Sequence, residues 1–112
     1  MQSGLTKECL EVTNMVDKGI TNAIARVISL NDILKEYGIA EQKYPEFNSP
    51  HEGYAVLLEE VDELWDEVKR YKDKGPEDEH FESMKIEAAQ VGAMALKFLN
   101  KLHSMEMEEK LR

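Results

Sequence analysis

Cysteine is almost missing from this chain: Cys9 is the only one, so no disulfide can close within it. A lone thiol suits a reducing compartment, and near the start of a helix it is most often plain packing. Positive charge is also short, with 14 Lys and Arg against 23 Asp and Glu, for a net charge of −9. That balance argues against nucleic acid or an anionic membrane surface as the main partner, and it leaves acidic sites for divalent cations open. Uninterrupted apolar runs extend only a few residues, too few for a membrane span. Met1-Gln2-Ser3-Gly4 leads into a charged amphipathic stretch rather than a secretory signal, so a cytoplasmic protein is expected. No alternation of apolar and polar residues marks a strand, nothing repeats, and no tract is of low complexity. A Gly-rich phosphate loop and any Ser-His-Asp or Cys-His order are absent too.

What remains is helical pattern. At 112 residues with 42% hydrophobic content, residues 1–112 are expected to form a single all-α domain with a modest core. Leu5, Cys9, Val12 and Val16, then Ile20, Ile24, Val27, Ile28 and Leu34, recur at helical spacing over about 5–37. Gly19 is a place for a kink or break, and Tyr37-Gly38 reads as a helix end followed by a loop over Ile39 to Asn48. Ser49-Pro50-His51-Glu52 opens the next helix with an N-cap, a first-turn proline and the Glu of a capping box. This helix is expected to reach about Lys74, where a basic cluster suits the dipole before Gly75-Pro76 stops it. The basic cluster reads as a solvated helix end. A third helix is expected from about Pro76 to Asp78 through Leu102, with frayed residues after Met105, so that a hairpin fills about 50–104.

Two acidic turns organise the hairpin: Glu59-Glu60-Val61-Asp62-Glu63 and Glu87-Ala88-Ala89-Gln90. On a wheel centred on Val61, residues Tyr54, Leu57, Leu58, Leu64, Trp65 and Val68 fall within about 60°, a core-facing stripe with Glu60 and Glu63 at its edge. Glu87 shares its face with Met84, Val91, Met94, Phe98 and Leu102. A carboxylate in that setting needs a partner or a cation, and no base stands three or four residues away. Glu60, Glu63 and Glu87 therefore form a candidate carboxylate cage for a hard cation such as Mg²⁺. The third helix also carries Phe81, Ala88, Gly92, Ala95, Leu96 and Leu99 on an adjoining arc, so it needs cover on more than one side. Three helices can hardly supply it, which leads to the expectation of a homodimer, with a tetramer as a further step.

These residues resemble the MazG-like all-α nucleoside triphosphate pyrophosphohydrolases, short phage-type members in particular. The family pattern is Glu-x-x-Glu in one helix and Glu-x-x-Asp in the next. Glu60-Val61-Asp62-Glu63 matches the first half, and Glu87-Ala88-Ala89-Gln90 matches the second except that Gln90 replaces the Asp. The text from His51 to Glu60 also looks like the family, and the resemblance covers roughly residues 20 to 102. It implies a hydrolase that cleaves the α-β phosphoanhydride of a nucleoside triphosphate to monophosphate and pyrophosphate. Glu60, Glu63 and Glu87 would be catalytic and would hold one or two Mg²⁺ ions, with Mn²⁺ as a substitute and Gln90 as the fourth ligand. A neutral amide there removes one negative charge, so the alternative is a weakly active or non-catalytic helical oligomerisation or interaction module on the same scaffold.

Other constellations carry less. Glu77-x-x-His80 imitates half of a di-iron bundle site, but that site needs two such pairs. His51 and His103 have no clustered partners. Lys43 and Tyr44 precede the hairpin within reach of a nucleotide, and a plain loop is the simpler reading of them.

Overall fold

The computed structural model describes residues 6–112. It contains three helices, α1 (Lys7–Lys43), α2 (Pro50–Arg70) and α3 (Phe81–Lys110), with a 3₁₀ turn over Gly75–Glu77 between the last two. Among the described residues there is no strand, and the class is all-α. Among the described residues no helix is long and apolar enough to cross a membrane. Chain contacts divide the described residues into two units, one ending at Asn31 and the other Asp32–Arg112. The first is a stretch of α1 whose Met15, Ile20, Ile24, Val27, Ile28 and Leu30 are all exposed. Of the expected apolar series, Leu5 and the side chains of Cys9, Val12 and Val16 lie outside the described residues.

α1 runs six residues past the expected stop at Tyr37-Gly38. Gly38 meets no atom within 4 Å of where a Cβ would stand, and the same holds at Gly19, where the helix continues unbroken. A helical Gly costs only about 1 kcal/mol against Ala. The turns around Gly38 recover more than that, since Ile33 and Ala40 on the same side of the helix are packed.

At the start of α2 the Ser49 cap and the first-turn proline are as read from the sequence, while the Glu52 carboxylate takes a donor other than the one a capping box uses. Ser49 is extended and its side chain accepts from the Glu52 backbone N–H at 3.1 Å, a cap that contributes about 1 kcal/mol. The Glu52 carboxylate accepts from Asn48 Nδ2 at 2.9 Å. Its end is not: α2 stops at Arg70 rather than Lys74, and α3 begins at Phe81 rather than at Pro76 to Asp78. Asp78 explains both shifts. Its buried carboxylate accepts from Lys72 N–H at 2.7 Å and His80 N–H at 2.8 Å, taking amides that a helix would otherwise use. Those two bonds also hold the Asp78 carboxyl below its ordinary pKa. Gly75 adopts φ 65°, open to glycine without strain, and its N–H donates to Tyr71 Oη at 2.9 Å. α3 then stays helical to Lys110, through residues where fraying was expected.

Within Asp32–Arg112, α2 and α3 run antiparallel, because Gly53 meets Phe98, Glu60 meets Gln90 and Glu67 meets His80. Gly53 sets the approach. A Cβ there would stand 2.7 Å from Phe98 Cδ2 and 3.0 Å from Phe47 Cδ2. Gly92 does the same for α1, since its Cβ would meet Ile33 Cδ1 at 2.8 Å.

The inward face of α2 is centred on Glu60, with Gly53, Val56, Leu57, Leu64 and Glu67 buried or half-buried. The stripe expected to face the core is therefore corrected. Leu57 and Leu64 are half-buried, but Tyr54, Leu58, Val61, Trp65 and Val68 are 62, 44, 40, 56 and 40% exposed. The most apolar direction of a helix is not always the one its own chain covers. Here the covered face is centred on Glu60, one residue from Val61, and Gly53 packs against Phe98 on that face. The α3 arc is mixed, with Phe81 and Leu96 half-buried and Leu99 50% exposed. Among the described residues the buried apolar side chains are Ala40, Ala89, Ala93 and Met94, and no large side chain is fully buried.

Candidate functional site

α2 and α3 bring Glu60, Glu63 and Glu87 together. One carboxylate oxygen from each lies within 4.8 Å of the others. Glu60 and Glu87 are half-buried and Glu63 is exposed. Spacing explains the grouping, because Glu60 and Glu63 are one turn apart on α2 and Glu87 faces them from the antiparallel α3. Gln90 lies one turn beyond Glu87. With its amide turned to donate, Nε2 reaches Glu87 Oε2 at 3.0 Å and Glu60 Oε2 at 3.3 Å.

Three acids so close repel one another. Burial, followed by the charges of Glu63 and Glu87, pushes the Glu60 carboxyl up to about 7. Burial comes first for Glu87 too, which is raised further by Glu63, Glu67 and Glu36. Both shifts run toward the protonated carboxyl, because burial and neighbouring like charge penalise the ionised form. The donor set is all hard oxygen, with several carboxylates converging, which is the chemistry that Mg²⁺ and Mn²⁺ take.

A cavity of about 240 Å³ opens beside the cluster, lined by Glu36, Ile39, Ala40, Lys43, Tyr44, Glu60, Glu63, Gln90, Ala93 and Met94. Glu36 was not singled out in the sequence. Its signal was present, since Ile33, Glu36 and Ala40 share one helical stripe, but stopping α1 at Gly38 hid it. The same early stop left Lys43 in a loop, whereas Tyr44 does lie just outside the helix as expected. Lys43 is the last residue of α1, and both residues line the cavity.

The remaining candidates separate clearly. His80 Nδ1 lies 2.9 Å from Glu67 Oε2, so its partner is on α2, while Glu77 is exposed. No di-iron half-site forms there. His51 and His103 are exposed. The basic end of α2 is solvated as expected, with Lys69 on Asp66 at 3.2 Å and Arg70 on Glu67 at 3.4 Å. Lys97 is a surprise. It is buried, and its Nζ donates to Pro45 O at 3.0 Å and Tyr44 O at 3.5 Å while lying 4.9 Å from the Phe47 ring centre. Comparison with family models, with curated proteins and with solved structures finds no match to the chain.

Proposed function

We propose that the chain is a Mg²⁺-dependent nucleoside triphosphate pyrophosphohydrolase of the MazG-like kind, acting in the cytoplasm as a homodimer. The observation that carries this reading is the convergence of Glu60, Glu63 and Glu87 within 4.8 Å beside a three-helix cavity. Their oxygens fit a hard divalent cation, which would be held by Glu60, Glu63 and Glu87, with Gln90 reaching it through its amide oxygen after a flip. When bound there, Mg²⁺ supplies neutralising charge for phosphate oxygens and acidity for a water. In the reaction a water's oxygen would add to one phosphorus of the α-β bridge as the anhydride bond breaks. One proton of the water stays on the products and the other is released. The residues' part is to fix the carboxylates before substrate arrives. Glu87 is half-buried on α3, and Gln90 ties it to Glu60.

The homodimer rests on α2's outward stripe. Tyr54, Leu58, Val61, Trp65 and Val68 alternate in steps of four and three, the spacing of a two-helix seam. A second copy offers the same seam about a two-fold axis. A second reading, the non-catalytic oligomerisation module, draws on that stripe together with the neutral Gln90.

One assay separates the two. Incubation of a nucleoside triphosphate panel with Mg²⁺ or Mn²⁺ should release monophosphate and pyrophosphate, and Glu63→Gln should lower the rate at least about 100-fold. No product from any nucleotide with either metal favours the module. Orthophosphate as the main product contradicts the assigned bond.

A further inference from the structure

Resting on the pyrophosphohydrolase reading, we propose that the rim formed by Lys43 and Tyr44 receives the nucleotide, Lys43 taking phosphate and Tyr44 stacking on the base, with little discrimination between bases. The cavity's lining is mixed in character: Glu36, Glu60 and Glu63 are acidic, Ala40, Ala93 and Met94 are apolar and buried, and Ile39, Lys43 and Tyr44 are exposed near the end of α1. Every lining charge except Lys43 is a carboxylate. A polyphosphate brought to that wall needs positive charge beyond a metal ion's, and Lys43 makes no ion pair among the described residues. Its ammonium is free for a phosphate oxygen.

Tyr44 has a different attribute. The residue is 61% exposed, yet its backbone is tied on both sides, with its N–H donating to Ala40 O at 2.9 Å and its carbonyl accepting from Lys97 at 3.5 Å. A fixed backbone presenting a free aromatic face is a stacking platform that is largely ordered in advance. Lys97 is a positioning residue in this arrangement. Its buried ammonium holds the Tyr44 and Pro45 carbonyls and so fixes where the rim stands.

Size decides the base. Pockets that enclose a drug-sized ligand run from about 300 to 1,000 Å³, and this cavity is about 240 Å³. A cavity of that size does not enclose a whole nucleotide, and the proposal places the base over exposed Tyr44 at the rim. Stacking is tolerant of base identity because every base offers a π-face. Lys43, moreover, is the cationic side chain of the lining.

The test is calorimetric titration of a non-hydrolysable α,β-imido nucleoside triphosphate with Mg²⁺, beside hydrolysis assays. Tyr44→Ala and Lys43→Met should each raise Kd roughly tenfold, with Tyr44→Phe and Lys43→Arg restoring most of the affinity. Both sites are exposed, so folding is not at stake. Across the four bases kcat/KM should vary less than about tenfold. Lys97→Met should raise KM more than it lowers kcat, a split that general loosening of the fold does not give. Should Lys97→Met fail to fold, the exposed pair still decides. A wild-type protein that hydrolyses triphosphates while both exposed variants bind normally overturns this proposal and leaves the enzyme reading standing. A wild-type protein that neither binds nor hydrolyses any triphosphate overturns both.

Discussion

α2 has two faces, and each carries what the other would be expected to carry. Toward α3 it presents Glu60 and Glu67 among a few half-buried aliphatic side chains, and toward solvent it presents Tyr54, Leu58, Val61, Trp65 and Val68. In an ordinary surface helix the apolar stripe points in and the charges point out. On the proposed reading, both faces are completed from outside the chain. The inner face concentrates like charge that a cation would neutralise, and the outer face exposes apolar area that a second copy would cover. The two lacks are independent, so each can be removed alone.

The outer face gives the largest expected effect. Trp65→Glu places a charge in the middle of the seam, and an unpaired buried charge there should weaken association more than 100-fold, the equivalent of about 3 kcal/mol. Light scattering at micromolar concentration should show a dimer for the wild type and a monomer for the variant. Leu99→Asp sharpens the comparison, because Leu99 is half-exposed on the α3 arc that the sequence pointed to. If Leu99→Asp dissociates the protein and Trp65→Glu leaves it dimeric, the interface lies on α3 rather than α2.

The inner face comes next. Glu87→Gln should lower Mg²⁺ affinity tenfold to 100-fold and remove hydrolysis, while metal-free stability stays level or rises as like-charge repulsion falls. Titration calorimetry with parallel melting curves reads both quantities. Unchanged Mg²⁺ binding would show that the three carboxylates are a structural cluster only.

Acidity probes the same face more gently. Glu60 has its pKa raised from 4.5 to about 7 in the folded state, chiefly by burial. Folding therefore favours its protonated form, so this contribution is complete below about pH 4.5 and is lost as pH rises to about 7. Asp78 acts in the opposite sense. Its lowered pKa contributes stability above its ordinary value of 3.8, and that is lost as pH falls below it. Melting temperature without metal should thus peak between these limits and decline toward pH 7. Mg²⁺ should flatten the decline, since the cation replaces the proton; a decline equally steep with saturating Mg²⁺ counts against binding at Glu60.

The sequence made some of this readable and hid the rest for physical reasons. The Ser49 cap, the all-α class and the meeting of Glu60, Glu63, Glu87 and Gln90 follow from local chemistry and helical spacing, which act within a few residues. Helix ends at Arg70 and Phe81 depend on Asp78, whose bonds to Lys72 and His80 no periodicity displays. Glycine misled twice. Gly38 resembled a stop and is an ordinary helical residue, whereas Gly53 resembled nothing and fixes how α2 meets α3. The wheel centred on Val61 found the most apolar direction correctly but not what covers it. Lys97 escaped notice because a lysine in a helix reads as solvent-facing until its carbonyl partners, some fifty residues earlier in the chain, are seen.

The smallest effect should come from Gln90→Asp, and it bears most closely on what the inner face is for. In the metal-free chain the Gln90 amide donates to Glu87 and Glu60, so it partly relieves the crowded acids. Replacing it with Asp removes both donors and adds a further negative charge to the cluster. Metal-free stability should fall by roughly 1 to 2 kcal/mol, a shift of a few degrees in melting temperature. Mg²⁺ affinity should rise several-fold, because a fourth hard oxygen carrying full charge is offered to the cation. Opposite signs for the two changes are what a cation site requires, whereas a polar network built only for packing would lose stability and gain nothing. A Gln90→Asp protein that melts earlier and binds Mg²⁺ no better would mean that the amide at position 90 serves to reconcile the carboxylates with one another, and that the inner face of α2 is finished without a metal.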